Sequence, residues 1–263
     1  MGLIFDAGAA RLYEAWHQSP EGRSLDRLVK DSLMGLLEIQ RGERIVEIGC
    51  GEGRHLKHFC DLGLNAAGVD ASPYMVQRAR ERLGHRAILE LGRAEDLPYQ
   101  DNEFDLALFI NTLEFLDDPV EALREAGRVA RRGVFIAVMN SLSWHCLCMK
   151  LRALFQKSIF SYATSYSLWE VKSFVHSALG DVPIRWRSAQ GRAHSLKIAG
   201  RFFPERRDLD RSLFGSCLGL SATIQYTVRT IQNPLKAHFA QAGRPVVKGA
   251  VMGEVRNERS LPL

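Results

Sequence analysis

The chain has 263 residues, 46% of them apolar and 25% charged, with a net charge of +5. That length suits one α/β domain with an added cover, and ordinary globular composition argues against global disorder. The positive charge is scattered, its densest groups being the pairs Arg131-Arg132 and Arg206-Arg207, which disfavours nucleic acid as a substrate.

Residues 8–39 read as helical, with Leu28, Leu33, Leu36 and Leu37 at helical spacing before Gly42 closes the segment. Strands and helices then alternate. A strand is expected over 44–49, a helix over 52–62 with Leu56, Phe59 and Cys60 inward, and a second strand over 65–70. Ser72 reads as an N-cap with Pro73 at the first helical position, opening a helix that buries Met75, Val76, Ala79 and Leu83. Short apolar runs at 87–91 and 104–110 supply two more strands. Asp118-Pro119-Val120-Glu121 starts a helix ending near Arg131, and 133–139 is a fifth strand. Apolar strands alternating with helices imply a parallel sheet covered on both faces.

The last third differs. Residues 141–180 read as a long, largely helical insertion rich in aromatics, including Trp144, Tyr162, Tyr166 and Trp169. A strand follows over 182–187. The stretch 217–229 alternates with period two, the mark of a half-exposed and antiparallel strand. The expected layout is one domain over 1–243, with a helical cover at 8–39, a core at 43–140, the insertion at 141–180 and strands within 182–230. A loose tail is expected at 244–263.

In a doubly wound sheet the ligand lies beyond the carboxyl ends of the strands. Several signals fall on that rim. Glu47-Ile48-Gly49-Cys50-Gly51-Glu52-Gly53 ends the first strand, and glycine there lets the backbone turn through positive φ and lets a ligand lie against bare main chain. Asp70 ends the second strand, where an acid can accept from both ribose hydroxyls. Ala94-Glu95-Asp96-Leu97-Pro98 follows the third, and Asn111-Thr112-Leu113-Glu114 the fourth. A dinucleotide dehydrogenase has the spacing G-x-G-x-x-G; here the third glycine, Gly53, comes one residue early.

Over roughly residues 10–140 this constellation resembles the class I S-adenosylmethionine-dependent methyltransferases, and among them the small-molecule group that includes the ubiquinone/menaquinone-biosynthesis enzymes. The stretch 47–53 is similar to that family's first motif. Gly-Val-Asp-Ala-Ser at 68–72 is similar to the second, and Ala-Glu-Asp-Leu-Pro-Tyr at 94–99 to the third. The resemblance implies a Rossmann-like doubly wound sheet, mostly parallel with an antiparallel C-terminal strand, and S-adenosyl-L-methionine as cofactor. It implies that Gly49, Cys50, Gly51 and Gly53 line the cofactor and that Glu47 holds the loop and the amino group. Asp70 would take the ribose, Ala71 the face of the adenine, and Ala94 and Glu95 its edge, with Asn111 completing the site. Arg93 stands where the family often has an aspartate, and an arginine cannot accept a hydrogen bond.

The cover sets the acceptor. Tyr13-Glu14-Ala15-Trp16 followed by Ser19-Pro20-Glu21-Gly22-Arg23 resembles the family's entry segment, so Tyr13 and Trp16 are candidate acceptor contacts, beside Trp144 and Tyr162 of the insertion. Glu114 and His145 are the candidate base or orienting residues, with His17 behind them. The expected activity is methyl transfer to a small molecule. The alternatives are a cofactor-binding protein without transfer activity and a methyltransferase acting on protein or RNA.

No metal is expected, because the histidines lack mutual spacing and Cys146-x-Cys148 has the wrong spacing for a CxxC site. Five cysteines, an odd number, without a secretory signal or an apolar run near the ~18 residues of a membrane span suggest a cytoplasmic protein with reduced thiols and no membrane span. The oligomeric state is not legible.

Overall fold

The computed structural model describes residues 4–153, 162–189 and 212–224. The elements in chain order are α1 (Ala7–His17), α2 (Pro20–Leu36), β1 (Arg44–Ile48), α3 (Arg54–Asp61), β2 (Asn65–Asp70), α4 (Pro73–Leu83), β3 (Ala87–Leu91) and β4 (Phe104–Ile110). Then come α5 (Pro119–Val129), β5 (Ala130–Met139), α6 (Trp144–Ala153), α7 (Leu168–Leu179), β6 (Ile184–Ala189) and β7 (Cys217–Thr223). The seven strands form one sheet in the order β3-β2-β1-β4-β5-β7-β6. Among the described strands β7 alone runs opposite to the other six.

Period-two alternation divides the core into two layers. Val46, Ile48, Ala107, Phe109, Val134 and Ile136 face one side, with Leu123, Val171 and Val175 from α5 and α7. Ile45, Leu106, Leu108 and Phe135 face the other, with Val29, Leu33, Leu56, Phe59 and Val76 from α2, α3 and α4. Glu47 shares the parity of Ile45 and so is buried on the α2–α3 side. The chain leaves β1 toward β2 and β3, then returns to pair β4 on the opposite flank of β1. That reversal opens a crevice above β1 and β4.

Three expectations change. The 8–39 segment is two helices: Ser19 accepts from the Gly22 N–H at 3.0 Å and Pro20 opens α2, so the Ser-Pro pair is a cap that restarts the chain in a new direction. The 141–180 insertion is not continuous helix. Residues 162–167 lie between α6 and α7, and Tyr166 forms a bridge with Asn140. The antiparallel strand ends at Thr223 and is buried on both faces, because Leu218, Leu220 and Ala222 join the layer under α5 and α7 while Gly219 faces α2. Its alternation comes from small residues, Gly219 and Ser221, facing helix α2; a Cβ on Gly219 would lie 2.9 Å from that of Ser32. The expected strand residues 225–229, the tail at 244–263 and part of the insertion lie outside the described residues.

Candidate active site

The three glycines of the β1–α3 turn all have positive φ and do three different things. At Gly49 a Cβ would lie 2.2 Å from Thr112 Cγ2, so glycine lets the loop after β4 close on the loop after β1. The Thr112 hydroxyl completes that joint by donating to the Ile48 carbonyl at 3.0 Å. At Gly51 nothing lies within 4 Å of the same position, so a side chain would project into open space above the turn. Gly53 caps α3, and a Cβ there would meet Leu83 Cδ1 at 2.7 Å. Gly53 therefore sets how closely α3 approaches α4.

Asp70 organises the next station. Its two oxygens accept from the main-chain N–H groups of Gly51 at 2.8 Å and Ser72 at 2.9 Å. Burial raises its pKa, and these two bonds oppose that rise. Ser72 caps α4 and also donates its hydroxyl to the Phe5 carbonyl, tying the N-terminal segment to the rim. Beyond β3, Ala94 is buried, while Glu95 pairs with Arg93 at 3.4 Å.

These groups surround a cleft of about 830 Å³, counting its open mouth. Its floor is Glu47, Gly49, Cys50, Gly51, Asp70, Ala71, Ala94, Asn111 and Thr112. Its roof is Phe5, Tyr13 and His17, closed on the far side by Phe115 and Leu116. Phe5 meets Tyr13 and Phe115 edge-on at 5.6 and 5.2 Å between ring centroids. Burial, with the neighbouring His55 and Arg54 charges, lowers the His17 pKa to about 4, so its ring is neutral at pH 7. Burial and the charges of Glu47 and Glu114 push the Tyr13 phenol up, keeping it neutral too. Two buried acceptors on the cleft floor, Glu47 Oε2 and Asn111 Oδ1, have no hydrogen-bond partner. Asn111 sits at φ +51°, a left-handed conformation uncommon outside glycine.

The family described as "Methyltransferase domain" matches residues 46–138, from β1 to the end of β5. Residues 46–138 form a methyltransferase domain. The chain is 28% identical over 158 residues to 27-O-demethylrifamycin SV methyltransferase of Amycolatopsis mediterranei, covering 54% of this chain and 58% of that protein. It is 31% identical over 129 residues to malonyl-[acyl-carrier protein] O-methyltransferase of Salmonella typhimurium, covering 49% and 51%. The chain thus spans little more than half the length of these curated relatives. Among solved structures, a SAM-dependent methyltransferase from Thermotoga maritima is 25% identical with a TM-score of 0.62, covering 82% of this chain and 95% of that one.

The cleft suits S-adenosylmethionine, the cofactor of that domain family. That molecule carries an ammonium, two ribose hydroxyls and an adenine amine, all donors; the cleft offers the unpartnered acceptors of Glu47 and Asn111, the Asp70 carboxyl and a bare Gly51. Of the residues singled out from sequence, Gly53 and Glu95 do not line it. Gly53 is occupied with helix packing and Glu95 with Arg93. Ala94 does line it, through main chain and a small side chain.

Of the four acceptor candidates only Tyr13 lines the cleft. Trp16 packs against the core layer under α2 and α3. Trp144 and Tyr162 are exposed on the outer surface, at 58% and 62%. His145, one residue on in α6, is also off the cleft. Glu114 lies in a short 3-10 turn after β4 that directs it inward: it is 2% exposed, and Oε1 accepts from the Met139 N–H at 2.7 Å. Burial raises its pKa to about 7, partly opposed by that bond. Phe5, Phe115 and Leu116 were missed, whereas His17, named behind Glu114 and His145, does line the cleft. The roof comes from a segment about 30 residues before β1, and no local signal tells which face of α1 points down.

Proposed function

We propose that this protein transfers a methyl group from S-adenosylmethionine to a small-molecule acceptor by in-line displacement. The observation that carries the reading is the pair of buried, unpartnered acceptors, Glu47 Oε2 and Asn111 Oδ1, on a glycine-floored cleft. Bound there, the cofactor supplies an electrophilic methyl on a sulfonium. The chain's own work is to hold, orient and dry the site. Asp70 takes the ribose and Glu47 the amino-acid arm, while Ala71, Ala94 and Cys50 shape the adenosine seat. Phe5, Tyr13 and Phe115 close the roof and exclude water.

The acceptor enters between this roof and Asn111. The aromatic and aliphatic wall favours a planar or apolar acceptor with one nucleophilic group. The two curated relatives, by name, act on a demethylated rifamycin and on a malonyl group carried by an acyl carrier protein. Neutral His17 can accept a hydrogen bond from an acceptor hydroxyl or amine and orient it, a role that buried Glu114, off the cleft, cannot take directly. Among the described residues no cluster of His, Cys, Asp and Glu is disposed to hold a metal, and no helix is long and apolar enough to cross a membrane.

The test is transfer of a labelled methyl from S-adenosylmethionine to a panel of phenols, hydroxylated polyketides and aromatic amines. Label in the small-molecule extract is the expected result. Label confined to protein or RNA would move the acceptor to another class, and binding without transfer to any acceptor would favour a non-catalytic cofactor protein.

A further inference from the structure

Beside the glycine turn, β1, α2 and α3 meet around one imidazole, which also lines the edge of the cleft. His55 Nδ1 lies 3.1 Å from Glu47 Oε1, and Nε2 lies 3.0 Å from Asp26 Oδ1. Asp26 in turn takes the Lys30 ammonium at 2.9 Å. Glu47 and His55 are buried, at 1% and 8% side-chain exposure, while Asp26 is a quarter exposed. A carboxyl oxygen lies within 3.1 Å of each ring nitrogen, as a hydrogen bond at Nδ1 and as a close charge contact without hydrogen-bond geometry at Nε2, and two flanking carboxylates favour the doubly protonated imidazolium. Burial alone would lower the His55 pKa; the Glu47 charge and the contacts with Asp26 and Glu47 outweigh it and lift the pKa to about 9. His17 from α1 and His58 on α3 are the other titratable rings within electrostatic reach.

Glu47 gives one oxygen to this ring and keeps the other on the cleft floor with no partner. We propose that His55 is a positioning residue, an imidazolium clamped between Asp26 and Glu47 that fixes the free Glu47 oxygen to receive the ammonium of the cofactor's amino-acid arm. The inference rests on the cofactor reading above. Without the clamp, Glu47 is a buried carboxyl that nothing holds in place, free to turn away from the cleft.

Calorimetry with two probes separates this role from plain structural support. S-adenosylhomocysteine has the amino-acid arm; 5′-methylthioadenosine keeps the adenosine and thioether and lacks it. His55→Gln should weaken S-adenosylhomocysteine about tenfold, the scale of one charge-assisted hydrogen bond, and leave 5′-methylthioadenosine within about twofold. Asp26→Asn, at a more exposed site, should act in the same direction by about threefold and carries the test if His55→Gln does not fold. Unchanged S-adenosylhomocysteine affinity, or equal loss of both probes in a folded variant, overturns the role of His55. Failure of the wild-type protein to bind either probe would instead overturn the cofactor reading on which it rests.

Discussion

Glu114 shows how one side chain can be placed in the right neighbourhood by sequence and given a different task by structure. Its position after β4 marks it for the rim, yet the 3-10 turn at Leu113–Phe115 swings it under the floor, where Oε2 finds no partner. An acid whose pKa rises from 4.5 to about 7 on folding adds stability that is complete below pH 4.5 and is lost as pH rises through 7. His17, lowered from 6.5 to about 4, has the opposite slope across much of that window, so the comparison must be between wild type and variant. Glu114→Gln should therefore gain on wild type by on the order of 2–3 kcal/mol between pH 4.5 and pH 8, measured by urea unfolding at both. A difference independent of pH would mean that Glu114 stays ionised. Asp70→Asn belongs to the same scale. It keeps one acceptor for main chain and removes the charge that we propose faces the ribose, and should weaken S-adenosylhomocysteine by about tenfold or more. Asp70 and Glu47 were legible because each sits at a fixed step from a strand end. The partner of Glu47 was not, although a buried acid implies one: His55 reads as an ordinary residue of a helix until α2 brings Asp26 to its other side.

The β1–α3 turn separates stability from binding within five residues. Gly51→Ala puts a methyl into open cleft at φ +52°, which should cost about 1–2 kcal/mol of stability for the left-handed backbone and reduce S-adenosylhomocysteine binding disproportionately. Gly49→Ala carries the same backbone cost and drives its methyl into Thr112, so it should lose more stability and loosen the β4 loop. Equal melting temperatures for the two variants would contradict this division. The strands from β1 to β5 were legible because each is a short apolar run flanked by turn residues, and the Ser72-Pro73 and Asp118-Pro119 caps act as read. Helix α1 was fused to α2 because apolar spacing continues across a cap whose Ser19-Pro20 signal had been noted only for its likeness to an entry segment. Strand β7 was taken for half-exposed because period two counts polarity, whereas Gly219 and Ser221 are small residues buried under α2.

At the scale of the molecule, the strand order carries the account. Leaving β1 on one side and returning on the other places the Gly49–Gly53 turn, Asp70, Ala94 and Asn111 along one edge of the sheet, although they are spread over more than sixty residues of chain. The residues that floor the cleft could be read because strand ends define them. The roof could not, because it is built by Phe5, Tyr13 and His17 from a segment whose docking depends on tertiary contacts, including the Ser72 bond to Phe5. The insertion aromatics Trp144 and Tyr162 face outward instead. The direct measurement is isothermal titration of the purified, folded protein with S-adenosylhomocysteine. The account expects one site per chain with a dissociation constant on the order of 1–100 μM, weakened by Asp70→Asn. No heat of binding and no shift in melting temperature with either S-adenosylhomocysteine or S-adenosylmethionine would contradict it.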